Sequence, residues 1–248
     1  TLETRALTIR FGGHVAVDSV SCAFRPGELT AIVGPNGAGK TTYFNLISGQ
    51  LRATSGAVLI GGADVTSLDA PRRARLGLGR AFQLTNLFPG LSVLENVRLG
   101  CQARAGVHYE MTRPWLARED ILTAARAALA EVGLSGRAAA PVTALSHGDQ
   151  RKLEVAMMMA LEPSILMFDE PTAGMSVDEV PVVLDLIARL KQDKSKTLLL
   201  VEHKMDVVRT LADRIIVLHN GRLVADGAPE AVIASDIVRA AYLGASAA

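Results

Sequence analysis

Two clusters of residues have the types and spacing that do chemistry. The first is Gly34-Pro35-Asn36-Gly37-Ala38-Gly39-Lys40-Thr41, which fits the phosphate-loop pattern G-x-x-x-x-G-K-[ST]. A chance match in a chain of this length has a probability of roughly one in a hundred at average composition. The glycines let backbone N–H groups close around a polyphosphate, and a following helix N-terminus adds a favourable dipole. Lys40 would set a point charge between the β- and γ-phosphates. Thr41 would offer its hydroxyl to Mg²⁺, and Thr42 belongs to the same turn. The second cluster is Asp169-Glu170, at the end of the apolar run Ile165-Leu166-Met167-Phe168. Ligands of open α/β sheets sit beyond the carboxyl ends of the strands. Asp169 is therefore placed for Mg²⁺, and Glu170 to orient or deprotonate a water attacking the γ-phosphate. A kinase would also need an acceptor-substrate site, and no separate pattern supplies one.

These groups need a sheet to hold them. Residues 5–24 read as two strands about Gly12-Gly13, and the apolar alternation slips between Val17 and Val20, the sign of a bulge. A buried strand over Leu29–Val33 leads into the Gly-rich loop, and a helix follows over Lys40–Ser48. Further strands are expected over 57–60, 78–82, 165–168, 197–201 and 215–218, with helices over 150–161, 179–190 and 205–211. Strand–helix alternation implies an α/β fold with a parallel sheet. Residues 92–145 carry a helical pattern instead and read as an inserted subdomain. The reading is one domain over 1–248: a nucleotide-binding core from 1–86 and 162–248, and a helical part over about 87–161.

Composition narrows the class. Of 248 residues, 49% are apolar and 21% charged, as in ordinary globular chains. The net charge of +1 argues against a nucleic-acid binder. Cys22 and Cys101 form no C-x-x-C, which suits a reducing compartment and argues against a thiolate zinc site. Mean hydropathy is positive, +0.27, but the longest uncharged run, Ala81 to Leu94, is too short and too polar to span a bilayer. With no basic-then-apolar leader at its start, the chain is expected to be soluble and to reach a membrane through a partner.

Four more segments complete a pattern. Leu145-Ser146-His147-Gly148-Asp149-Gln150 resembles the ABC signature L-S-G-G-Q, Phe82-Gln83 the Q-loop, and Glu202-His203 the switch histidine. Phe11 sits where the family keeps an aromatic that stacks on adenine. In this order, along essentially the whole length, the chain resembles an ABC ATPase. The run Leu87-Phe88-Pro89-Gly90-Leu91-Ser92-Val93-Leu94-Glu95-Asn96-Val97, the segment Pro171-Thr172-Ala173-Gly174-Met175, the segment Val201–Asp206 and the tail Ala241-Tyr242-Leu243-Gly244 are similar to ATP-binding subunits of branched-chain amino acid importers. His147, Asp149 and Ser176 depart from the general pattern.

The resemblance implies a P-loop NTPase core with a mixed or parallel sheet, an N-terminal antiparallel β part and an inserted helical subdomain. It implies ATP and Mg²⁺ as ligands. Lys40, Gln83, Glu170 and His203 would carry catalysis, with Thr41, Gln83 and Asp169 at the metal. Phe11, Gly34, Pro35, Asn36, Gly37, Ala38, Gly39, Lys40, Thr41 and Thr42 would bind nucleotide. Ser146, Gly148 and Asp149 would close on the nucleotide of a second cassette, identical or paralogous; the helix after them is expected to start at Gln150. Implied partners are integral membrane permease subunits and, indirectly, a solute-binding protein, with the ATPase peripheral on the cytoplasmic face of the membrane and without nucleic acid. The solute stays open between branched-chain amino acids, urea or amides, and aromatic acids. A soluble ATPase of an iron–sulfur assembly complex is the alternative from another class. Among the remaining residues, the cysteines and Met157–Met159 read as core, Arg72-Arg73-Ala74-Arg75 as a solvated face, and Leu84, Leu87, Phe88 and Leu91 as either core or a groove for a partner helix.

Overall fold

The computed structural model describes residues 1–81, 87–106, 118–178 and 180–235. Two sheets form its frame. The first is antiparallel, in the order β2-β1-β4-β5, from β1 (Leu2–Phe11), β2 (His14–Phe24), β4 (Ser55–Ile60) and β5 (Ala63–Asp64). The second has the order β10-β9-β3-β8-β7-β6, from β3 (Leu29–Val33), β6 (Leu78–Ala81), β7 (Ile165–Asp169), β8 (Thr197–Val201), β9 (Arg214–His219) and β10 (Arg222–Gly227). Its strands are parallel except for β10, which runs antiparallel to β9. β3, β7 and β8 are buried at every residue, which is why they read as unbroken apolar runs.

Alternation along these strands separates two layers of core. Leu166, Phe168, Leu198 and Leu200 pack with α3 (Val93–Arg104), α4 (Glu119–Glu131), α5 (His147–Met159), α6 (Val180–Leu190) and α7 (Met205–Leu211). Ile165, Met167, Leu199 and Val201 face the opposite way, onto α1 (Lys40–Ser48) and the antiparallel sheet. The helix carrying the Gly-rich loop is thus sandwiched between two sheets. Cys22, Cys101 and Met158 lie in these cores, and Met157 and Met159 pack against them.

The slip expected in the first hairpin is a run of three register shifts between β1 and β2, at Thr4/Leu7, Leu7/Ile9 and Ile9/Arg10. Ala6 and Ser19 have φ of 43° and 56°. Their backbone N–H groups, displaced from the ladder, donate instead to Ser21 Oγ (2.7 Å) and Thr8 Oγ1 (2.9 Å). The strands over Leu29–Val33 and Thr197–Val201 and the helices over Lys40–Ser48 and Met205–Leu211 have the expected bounds. β10, α2 (Ala70–Arg75) and α8 (Pro229–Ala234) were not foreseen.

Two expectations are corrected. The helix expected from Gln150 begins at His147, because Ser146 is its N-cap and accepts the Asp149 N–H. The arginine cluster is not a uniformly solvated face. Arg72 and Arg75 are exposed, but Arg73 is 1% exposed. Its guanidinium donates to the carbonyls of Leu46 (2.7 Å) and Ile47 (2.7 Å) at the end of α1, and to those of Leu68 (2.9 Å) and Thr66 (2.9 Å). Helix C-terminal carbonyls lack intrahelical donors, and a forked cation satisfies several at once.

Candidate functional site

The Gly-rich loop leaves the carboxyl end of β3 and turns into α1. A Cβ on Gly34 would lie 2.1 Å from the Leu218 carbonyl oxygen, and one on Gly39, where φ is 96°, would lie 2.4 Å from that of Ala16. Only glycine fits these two places. α1 has neither a side-chain cap nor an acid in its first turn, so its first N–H groups are left for an anionic ligand. Lys40 is buried and donates to the carbonyls of Gly34 (2.8 Å) and Pro35 (2.9 Å). Burial pulls its ammonium below the ordinary lysine range, against the opposing charge of Glu170.

The loop forms one wall of a cleft of about 440 Å³ that also takes in Phe11, His14, Glu170 and His203. Phe11 is 49% exposed on that wall, so it offers a ring face to a ligand and is not a core residue. Sheet order explains the rest. β8 lies beside β7, so the segments leaving their carboxyl ends run side by side. Glu170 follows β7 and His203 follows β8, and Glu170 Oε1 lies 2.8 Å from His203 Nε2. Glu170 has a φ of 49°, and its N–H donates to the Val201 carbonyl (2.9 Å).

Asp169 is buried and pairs with the equally buried Arg80 on β6. Arg80 Nη1 also donates to Asn45 Oδ1 (2.7 Å), Ser48 Oγ (2.8 Å) and Gln50 Oε1 (3.1 Å), and its guanidinium stands 5.1 Å from the Phe44 ring centroid. Asp169 is thereby tied to the far end of the helix whose first turn faces the cleft.

The model of the ABC transporter family matches residues 17–173. The high-affinity branched-chain amino acid transport ATP-binding protein LivG of Escherichia coli K12 is 37% identical, over 98% of this chain and 97% of its own length. The chain belongs to the ABC transporter family. The high-affinity branched-chain amino acid transport ATP-binding protein BraF of Pseudomonas aeruginosa is likewise 37% identical, over 98% of this chain and 97% of its own length. Among solved structures, the ADP conformation of the ABC cassette MJ1267 superposes with a TM-score of 0.85 at 28% identity, over 98% of both chains. A dimeric post-hydrolysis cassette, MJ0796 bound to ADP and Pi, gives 0.77 at 26% identity, over 92% of this chain and 99% of that one. This ABC chain is accordingly an ATPase cassette with the P-loop NTPase fold.

In this cassette the signature residues do not line the cleft of the Gly-rich loop. Ser146 and His147 are exposed at the start of α5, and Gly148 is buried inside its first turn. Asp149 pairs with Lys152 (2.7 Å) and gives its N–H to Ser146 Oγ (3.2 Å). Gln83, with Phe82 and Leu84, lies outside the described residues, as do residues 107–117 and the tail 241–244. Of the apolar patch, Leu87 packs against the core, whereas the half-exposed Phe88 lines a separate groove of about 500 Å³.

Sequence reading missed three residues of this region. Arg80 carried a signal, since a cation inside an apolar strand needs a buried partner. Thr172 and Glu202 were seen only as neighbours of motif residues. Both are buried, and the Thr172 hydroxyl donates to Glu202 Oε1.

Proposed function

We propose that this cassette is the motor subunit of an importer for branched-chain or other hydrophobic amino acids. The observation that carries the reading is the cleft in which the Gly-rich loop, Lys40, Glu170 and His203 meet, in a chain 37% identical to LivG along nearly its whole length. The N–H groups opening α1 would hold the ATP phosphates. Lys40 would exchange the Gly34 and Pro35 carbonyls for phosphate oxygens, and Phe11 would stack on adenine. Glu170 would orient the attacking water and take its proton, with His203 fixing the carboxylate on the γ-phosphate side.

The hard oxygen donors Thr41 and Asp169 fit Mg²⁺. The described residues hold no cluster of three or more His, Cys, Asp or Glu suited to a metal, which accords with an ion that takes several ligands from nucleotide phosphates. Mg²⁺, when bound with ATP, would be held by Thr41, Gln83 and Asp169 and would neutralise charge on the phosphates.

Since Ser146, Gly148 and Asp149 stand away from this cleft, we assign them to the nucleotide of a second cassette, identical or paralogous. The groove at Phe88, with Leu99 and Met157 on its walls, suits a cytoplasmic helix of a permease subunit. The described residues contain no helix long and apolar enough to cross a membrane, so attachment to the cytoplasmic face would run through that permease, which in turn would receive solute from a binding protein. The division into a core (1–86, 162–248) and a helical part (about 87–161) serves the same cycle: one part holds ATP, and the other presents the signature and the groove.

The test uses tagged Glu170→Gln protein with ATP and Mg²⁺. The variant should bind ATP, lose turnover, and co-purify from membranes with two polytopic proteins. Recovery of soluble partners alone would sink the importer reading in favour of an assembly ATPase.

A further inference from the structure

Behind the catalytic pair lies a carboxylate that the mechanism above does not use. Glu202 is 3% exposed, at the end of β8. One of its oxygens, Oε1, accepts the hydroxyl of Thr172, itself 1% exposed; the other, Oε2, accepts the backbone N–H of His203 at 2.9 Å. A buried carboxylate is costly unless its oxygens are hydrogen-bonded. Here the two oxygens are divided between two different segments: the one that follows β7 and carries Glu170, and the one that follows β8 and carries His203.

The Glu170 segment needs holding. A non-glycine residue in the left-handed region, as Glu170 is with φ 49°, is strained and persists only where its surroundings fix it. On one side the Glu170 N–H is tied to the Val201 carbonyl (2.9 Å). On the other, Thr172, two residues on, is tied to Glu202. Val201 and Glu202 are consecutive, so the end of β8 grips the catalytic segment on both sides of the strained residue. The same Glu202 side chain then sets the height of the His203 backbone, and the two side chains meet at 2.8 Å in front of it.

We propose that Glu202 is a positioning residue for hydrolysis: a buried clamp that fixes Glu170 and His203 relative to each other through Thr172 and the His203 N–H. The proposal rests on Glu170 and His203 being the hydrolytic pair. Two donors face Glu202, and one of them, the His203 N–H, cannot become an acceptor. A glutamine could still accept from it while its amide donates to the Thr172 oxygen, so Gln preserves the connectivity. Leucine, of similar size, removes both arms.

The experiment measures kcat, ATP affinity and thermal stability for wild type, Glu202→Leu, Glu202→Gln and Thr172→Val. Displacing reacting groups by about 1 Å costs on the order of 10²-fold in rate. Glu202→Leu should therefore lose about that much kcat while its Kd for ATP moves by less than about threefold. Glu202→Gln should keep kcat within about fivefold of wild type, as a preserved hydrogen-bond network requires. Thr172→Val, which severs only one arm, should fall in between. In a Glu170→Gln background, Glu202→Leu should lower the residual rate by less than about threefold, since groups acting as a unit are not additive. The proposal is overturned if folded Glu202→Leu turns over like wild type, or if kcat and ATP affinity fall in parallel with no rescue by Gln. Should the leucine variant fail to fold, Thr172→Val decides by the same split. A wild-type protein that binds but does not hydrolyse ATP would refute the hydrolytic reading itself, a separate outcome.

Discussion

Replacing Arg80 by methionine removes the counter-ion of Asp169 and keeps an unbranched chain over Phe44. The pair is buried, with side chains 8% and 7% exposed, and burial pulls the Arg80 guanidinium below its ordinary range in spite of Asp169. Removing one partner of a buried pair costs about 3–5 kcal/mol, because the other charge is stranded. One contribution offsets this. Arg80 Nε is buried and makes no hydrogen bond, so its loss relieves about 1 kcal/mol of unsatisfied donor. The net expectation is a loss of about 3 kcal/mol, or about 6–12 °C in Tm for a chain of this size. The assay is urea and thermal unfolding of nucleotide-free protein followed by circular dichroism. The double variant Arg80→Met/Asp169→Asn strands no charge and should be more stable than the single one by about 1 kcal/mol or more. A single-variant loss below about 1 kcal/mol, or strict additivity in the double variant, would falsify the view that Arg80 is the counter-ion of the site.

Two further outcomes follow from the cleft. Phe11→Ala should leave stability near wild type, as an exposed ring on the cleft wall requires, and weaken ATP binding about three- to tenfold by loss of stacking; fluorescence titration with an ATP analogue reads this, and an unchanged Kd would remove Phe11 from the site. Lys40 gives a pH signature. Its folded pKa lies below the ordinary 10.5 because of burial, so between that lowered value and 10.5 the unfolded chain holds more protons than the folded one. The cost of burying the ammonium is fully present below the folded pKa and disappears as pH rises toward 10.5. Nucleotide affinity should move the other way, falling as pH rises through the folded pKa, because the phosphates need the charged form. Calorimetric titration across that range checks both, and Lys40→Met should flatten the affinity profile.

The arrangement also suggests how ATP would change this cassette. Lys40 spends its donors on the carbonyls of its own loop, and Arg80 holds Asp169. The Lys40 bonds are made by a group assigned to nucleotide, so ATP binding would exchange carbonyl partners for phosphate oxygens and keep the buried ammonium compensated throughout.

Much of this protein was legible in its sequence because the information is local. The Gly-rich loop needs glycine where backbone approaches backbone, at Gly34 and Gly39, and a lysine one step into a helix. β3 and β8 are runs of buried apolar residues, and α1 and α7 have helical spacing, so their bounds could be read directly. Spacing of two or of three to four residues reports which face of an element is buried, and it reports nothing about which polar groups meet across the sheet. That was settled only by the tertiary structure. Arg80 and Asp169 are 89 positions apart, Thr172 and Glu202 30, and the bonds of Arg73 to the end of α1 span 26 and 27. In the sequence Arg73 is one arginine in a surface-like cluster, and Glu202 is merely the residue before a histidine. Strand order brings the ends of β7 and β8 together, and burial then obliges each polar group there to find a partner. The sequence by itself singled out the residues assigned to phosphate; the packing of the sheet decided which buried charges brace the elements that carry them.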